Sequence, residues 1–129
     1  MDRYERIQRL IRQSMLYAKD AHDCVFDKSA SDSVALAYLN LAASKIATAE
    51  SFYYSNLEEL EHSDIEEIFA KFDTFAREML SNYRTDHSHQ WTDIEYEALK
   101  AVFDNSVCAF PAKITDLSSG WFFYPLPLF

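Results

Sequence analysis

The chain has 129 residues, the length of one domain, and folding at that length buries roughly two thirds of the unfolded chain's surface. Apolar residues make up 49% of it, and one glycine and three prolines leave few positions for tight hairpins, which argues against a sheet and for an all-α fold. The formal net charge of −9 opposes binding to phosphate backbones or anionic membranes, so a partner selected by charge is basic.

Four helices are predicted, over residues 2–28, 32–60, 63–84 and 92–108. The first begins at Asp2, whose side chain caps the helix while Glu5 reaches back to it. Its apolar residues recur at helical spacing, namely Tyr4, Ile7, Ile11, Ala18, Ala21 and Val25. The second helix is apolar on most sides, which is typical of a helix packed by several neighbours, and its alanines permit close approach.

The third and fourth helices share a start signal. Ser63 with Glu66, and Thr92 with Glu95, have the spacing of a capping box, and Trp91 is placed to pack on Tyr96 as a hydrophobic staple. Proline at position 111 ends the fourth helix and leaves residues 111–129 as an irregular apolar tail. The short links between helices predict a single domain over residues 1–129, folded as an up-and-down antiparallel four-helix bundle.

The two cysteines have no metal-binding spacing, and the topology places Cys24 and Cys108 near opposite ends of the bundle. Both are therefore expected to be free thiols. The N-terminus has no signal-peptide pattern and no apolar run reaches the roughly 20 residues of a membrane span, so a cytoplasmic protein without membrane contact is expected.

Six acidic residues crowd the second helix-to-helix link, and no lysine or arginine occurs between Ile46 and Ala70. We call them the acidic corner: Glu58, Glu59, Glu61, Asp64, Glu66 and Glu67. The last three lie in the first turn of the third predicted helix, where the helix dipole favours negative charge, whereas the first three crowd an unfavourable carboxyl end. Four arginines crowd the amino end of the first helix in the opposite sense: Arg3, Arg6, Arg9 and Arg12.

Two interpretations of the acidic corner stay open. In the first, the arginines pair with it inside one molecule, each exposed pair contributing about 0 to 1 kcal/mol. In the second, the corner binds a basic protein surface, for example on a nucleic-acid-binding protein, as an acidic inhibitor that mimics nucleic acid. Neither requires direct contact with nucleic acid.

Arg84 and His89, separated by four residues, resemble the Arg-x4-His motif of HEPN-type ribonucleases, which are small all-α bundles. The resemblance covers six residues. It implies metal-independent RNA cleavage, in which His89 handles protons and Arg84 stabilises the charge on the phosphorane-like transition state.

No metal or cofactor is expected from the spacing of ligands. Glu59 and His62 have Glu-x-x-His spacing, but a ferritin-like site needs a second such pair, and none occurs. His87 and His89 could hold a zinc ion together with Asp86, but His-x-His in a polar loop is common by chance. No nucleophile motif or glycine-rich phosphate loop is present.

The tail is the last unusual feature. Its aromatic residues would leave a large exposed apolar patch, so they are expected to be buried on the chain's own bundle, on a second subunit in a homodimer, or on a partner. The predicted tail interface consists of Trp121, Phe122, Phe123, Tyr124 and Phe129. The sequence thus predicts a non-enzymatic protein-interaction module, and the alternative is a HEPN-like ribonuclease.

Overall fold

The computed structural model describes residues 2–85 and 88–109, and every regular element within these ranges is helical. The elements are α1 (Arg3–Val25), α2 (Asp32–Ser55), the one-turn helix α3 (Leu57–Leu60), α4 (Ser63–Thr85), α5 (Gln90–Asp104) and a 3₁₀ helix (Val107–Ala109). The predicted all-α class is confirmed. None of the helices in the described ranges is long and apolar enough to pass through a bilayer.

The helices form a bundle of two closely packed pairs. α1 packs along α2, and α4 packs along α5, so helices that are neighbours in sequence are neighbours in space. Smaller contacts of α2 with α4 and of α1 with α5 join the pairs. The largest fully buried apolar side chains come from all four long helices: Ile7, Ile11, Tyr53, Ile65, Ile68, Phe75, Met79 and Leu99.

Alanines line the buried side of α2. Ala35, Ala42 and Ala49 recur every seven residues, so they lie on one face, and none of them is exposed to solvent. Ala18 and Ala21 of α1 are equally buried. Small side chains let helix axes approach closely, which agrees with the extensive contact between α1 and α2.

The predicted second helix, residues 32–60, is interrupted at Asn56. The backbone of this residue leaves the helical region (φ −129°, ψ 33°), and its side-chain amide donates to the Phe52 carbonyl at 2.9 Å. The chain then starts the one-turn helix α3, so Glu58 and Glu59 lie in a first turn and not at the carboxyl end of a long helix. The unfavourable placement expected for these two acids is therefore wrong.

Both predicted capping boxes in the second half of the chain differ from the structure. Ser63 lies inside the first turn of α4, and the imidazole of the preceding His62 accepts a hydrogen bond from the Asp64 amide at 3.1 Å. α5 begins at Gln90, so the cap expected at Thr92 is wrong. Thr92 is instead fully buried, and its hydroxyl accepts from the Asn82 amide at 2.8 Å.

The remaining local predictions have three different outcomes. The capping box of Asp2 and Glu5 is confirmed, and both cysteines are free, with Cys24 half-buried and Cys108 fully buried. Trp91 is 57% exposed and does not form a buried staple. The tail interface of Trp121, Phe122, Phe123, Tyr124 and Phe129 lies outside the described residues.

Candidate functional site

The acidic corner lies where α2, α3, α4 and the 3₁₀ helix meet. Asp64 is half-buried there, and its Oδ2 accepts a hydrogen bond from the Val107 amide at 3.2 Å. The other five acids of the corner are exposed. Asp64 therefore fixes the end of the described chain against α4, whereas the other carboxylates face solvent.

Tyr53 joins the core to this end of the bundle through hydrogen bonds. Its buried hydroxyl donates to Glu66 Oε2 at 2.7 Å and accepts from the His62 amide at 3.0 Å. Burial, followed by the hydrogen bond to Glu66, raises the pKa of Tyr53 to about 12. One oxygen of the Glu66 carboxylate is thus held by the core, and the residue has a fixed position at the surface.

The arginines of α1 have several different contacts. Arg3 forms an ion pair with Glu59 (Nη1 to Oε1, 2.6 Å) in which both side chains are 55% exposed. The Arg6 guanidinium lies over the Phe52 ring at 5.1 Å, and Arg12 Nε donates to the Cys108 carbonyl at 3.0 Å. The expected internal pairing is therefore seen for one pair, and exposure limits its contribution to about 0 to 1 kcal/mol.

Three carboxylates of the acidic corner remain open to a partner. Within residues 2–85 and 88–109, the side chains of Glu58, Glu61 and Glu67 form no ion pair and no hydrogen bond. Exposed carboxylates that are not paired with a cation attract positively charged groups over distances up to the Debye length, about 8 to 10 Å at physiological salt.

A groove of about 480 Å³ runs between α2 and α4, where the two helices touch only lightly. Its floor is apolar and its rim carries three carboxylates. The lining residues are Ala43, Ile46, Glu50, Tyr54, Glu66, Phe69, Ala70, Phe72, Asp73 and Ala76. Glu66 belongs both to this rim and to the acidic corner, so the groove continues that surface along the bundle.

The carboxylates of the rim act on one another. Burial, followed by the negative charge of Asp73, raises the pKa of Glu50. Asp73 pairs with Arg77 at 2.8 Å on the exposed face of α4, whereas Glu50 has no ion pair among the described residues. A cation placed over the groove would relieve this repulsion. Aliphatic or aromatic side chains beside that cation would pack on the apolar floor.

Sequence reasoning missed the groove because its rim is built from two helices. Glu66 and Asp73 are seven residues apart on α4, which places them on one face, and Glu50 and Tyr54 have the equivalent four-residue spacing on α2. Those spacings were visible in the sequence. The light contact between α2 and α4, which leaves the floor open, was not.

The residues of the ribonuclease alternative lie around the link from α4 to α5. Arg84 is exposed in the last turn of α4 and forms no ion pair with a described residue. His89 is half-buried before α5, and its ring packs on Tyr83 at 4.6 Å between centroids. Asp86 and His87 lie outside the described residues, so catalysis by Arg84 and His89 stays a prediction.

The Glu59 and His62 pair is engaged elsewhere. Glu59 binds Arg3, and Nδ1 of His62 accepts the Asp64 amide. Glu59 therefore contributes to the contact with α1, and His62 caps the start of α4.

Comparison with known proteins gave no match: no family model fits the chain, and no curated protein and no solved structure is significantly similar to it.

Proposed function

We propose that this protein is a non-enzymatic interaction module that binds a basic site on a partner protein through the acidic corner and the adjoining groove between α2 and α4. The observation that carries the proposal is the continuity of the two features through Glu66. Partner arginines and lysines would pair with the open carboxylates of Glu58, Glu61 and Glu67, while an apolar side chain beside them would enter the groove.

Charge gives this surface its selectivity. The acids outnumber the bases by 21 to 12, and such an imbalance accelerates association with basic partners and suppresses association with acidic ones. A basic site that normally binds nucleic acid is one such partner, in which case the protein acts as an inhibitor that mimics nucleic acid. The expected setting is the cytoplasm.

The proposal includes the up-and-down antiparallel topology for the four long helices. It is supported by the close pairing of α1 with α2 and of α4 with α5, each across a short link. In this arrangement the amino end of α1, the carboxyl end of α2 and the amino end of α4 lie together, which places Arg3 beside Glu59.

The test is capture of partners from a cell lysate by the immobilised protein at low and moderate salt. The double variant Glu58→Lys/Glu61→Lys reverses two open acids of the corner. The matched control, Asp20→Lys/Asp32→Lys, gives the same net charge by reversing two exposed acids outside the corner. We expect the first variant to capture at least tenfold less of the partner than the wild-type protein, and the control to capture as much as the wild-type protein.

Two further measurements define the chemistry of the partner. A captured protein is expected to be basic and to dissociate as salt rises, because screening weakens exposed charge pairs. Added double-stranded DNA should displace it if the acidic corner mimics nucleic acid. Equal capture by both double variants would show that the acidic corner is not the binding surface.

The ribonuclease alternative is tested separately by RNA cleavage with the wild-type protein and with His89→Ala, whose folding is checked by circular dichroism. Cleavage that disappears only in the variant would replace the interaction proposal with an enzymatic one.

A further inference from the structure

A second cluster of charged side chains lies where α1 ends and α5 begins. The His22 imidazole contacts a carboxylate through each nitrogen: Nδ1 is 3.0 Å from Asp23 Oδ1, and Nε2 is 2.7 Å from Asp93 Oδ1. Glu97 lies one turn after Asp93 on α5. Nitrogen or oxygen atoms of His22, Asp93 and Glu97 all lie within 4.8 Å of one another.

The ring is held in place on several sides. It stacks on Tyr96 at 4.2 Å between centroids and lies tilted against Phe26 at 5.1 Å, and its side chain is only 13% exposed. Two lysines lie near the cluster: Lys19 binds the other oxygen of Asp23 at 2.7 Å, and Lys100, which interacts electrostatically with Glu97, pairs with Asp104 at 3.0 Å. The orientation of Nε2 towards Asp93 is therefore fixed by packing before any ligand arrives.

The hydrogen-bonding capacity of the ring leaves one position to fill. A neutral imidazole has one N–H donor and one acceptor nitrogen, whereas an ionised carboxylate only accepts. Two carboxylates face the two nitrogens, so in the neutral ring one nitrogen has no N–H to donate to the carboxylate beside it, and a metal ion between the two groups fits that position. Asp93 faces Nε2 at 2.7 Å, and a carboxylate oxygen of Glu97 lies within 4.8 Å of the other ligand atoms, which favours the metal on the Asp93 side of the ring.

We infer that His22, Asp93 and Glu97 form a binding site for a divalent transition-metal ion, with Zn²⁺ as the expected ion, which links the end of α1 to the start of α5. His22 supplies Nε2, and each acid supplies one carboxylate oxygen. Asp23 is a positioning residue, because a carboxylate at Nδ1 fixes the ring tautomer and raises the basicity of the ligating nitrogen.

The donor set fits zinc. One imidazole and two carboxylates are ligands that Zn²⁺ accepts at about 2.0 to 2.2 Å, and three protein ligands leave a fourth position for water or another ligand. Tetrahedral coordination at these lengths separates ligand atoms by about 3.4 Å, so Asp93 must move away from Nε2 by about 0.7 Å. Its side chain is 49% exposed and has room to do so.

The test is a Zn²⁺ titration of the purified full chain, with a chromophoric chelator as competitor and circular dichroism as a check of folding. We expect one site of micromolar affinity or tighter, and thermal unfolding at a higher temperature when Zn²⁺ is present. Ca²⁺ and Mg²⁺ should bind at least 100-fold more weakly, because they prefer oxygen ligands.

Variants locate the ion. His22→Gln should weaken zinc binding at least 100-fold, while Asp93→Asn and Glu97→Gln should each weaken it at least tenfold. Asp23→Asn should weaken it 10- to 100-fold while the number of sites stays at one. In NMR spectra of the wild-type protein, the His22 ring resonances should shift on addition of Zn²⁺.

Control variants remove the other ligands that could bind zinc. Affinity should be unchanged in Cys24→Ala, in His62→Gln and in the double variant His87→Gln/His89→Gln. Binding that follows His87 and His89, or that survives in a folded His22→Gln variant, would overturn the inference. So would millimolar or absent binding by the wild-type protein.

Discussion

The two ends of the bundle hold their carboxylates in different ways. At the acidic corner, Asp64 accepts a hydrogen bond from a backbone amide, and Glu66 accepts one from the Tyr53 hydroxyl. Both donors are fixed parts of the fold, and the other acids of the corner face solvent. At the opposite end of α1, carboxylates converge on the single imidazole of His22. A fixed donor stabilises a fold at all times, whereas an imidazole can exchange its proton for a metal ion. The first end is therefore suited to a permanent surface and the second to reversible binding.

Alkaline pH should have the largest effect on stability, because buried groups resist ionisation at both ends: Cys108 and Tyr53 at the acidic corner, and Tyr96 at the opposite end, where burial raises the pKa to about 12. Burial raises the pKa of Cys108 from its ordinary 9.0 to about 12, although the positive charge of Arg12 acts in the opposite direction, and the pKa of Tyr53 rises from 10.0 to about 12. A raised pKa stabilises the fold fully below the ordinary value and loses that contribution as pH rises through the folded value. Each group contributes on the order of 2 to 4 kcal/mol, lost between pH 9 or 10 and pH 12.

The measurement is the free energy of unfolding in urea at a series of pH values from 8 to about 11.5. Cys108→Ala is expected to be less stable at pH 8 but to show a smaller decline between pH 9 and 11. A decline that is unchanged in this variant would contradict the assignment to Cys108.

Removing the hydroxyl of Tyr53 or of Tyr96 compares the two ends directly, with a smaller expected change in stability. Tyr53→Phe leaves the half-buried His62 amide without its acceptor and removes the donor to Glu66, which should cost about 1 to 3 kcal/mol. Tyr96→Phe at the opposite end should change stability by no more than about 0.5 kcal/mol, because the Tyr96 hydroxyl forms no hydrogen bond with a described residue. Urea unfolding of both variants measures the difference, and equal losses would contradict the role given to Tyr53.

The smallest effect is expected at the exposed ion pair. Glu59→Gln removes the charge that faces Arg3, and since both side chains are 55% exposed the loss should be at most about 1 kcal/mol. The loss should shrink further in high salt. A loss of several kcal/mol that persists in 1 M salt would show that the arginines and the acidic corner form a cooperative internal network, which would weaken the binding proposal.

The sequence predicted the fold class and much of the core because helical periodicity depends on local spacing. Ile7, Ile11, Ala18 and Ala21 were all expected on the apolar face of the first helix, and all are buried. The starts of α4 and α5 were less predictable because several residues compete for the cap. Thr92 has good capping chemistry, but its partner is the buried Asn82, ten residues earlier.

The candidate sites were predictable only where their residues are close in sequence. The acidic corner was visible as a local run of acids. The cluster around His22 was not, because His22 and Asp93 are 71 residues apart and meet only when α1 and α5 pack. The groove depended on how lightly α2 and α4 touch, which no residue pattern specifies.

The pairing of helices that are neighbours in sequence has a consequence for how the chain acquires its structure. Closing a short loop costs little conformational entropy, and domains dominated by such local contacts fold on the microsecond to millisecond scale. The α1–α2 and α4–α5 pairs have this character, whereas the light contact between α2 and α4 needs both pairs to be in place. We therefore expect the two pairs to act as separate folding nuclei, and the seam between them, which carries the groove, to form last and open first.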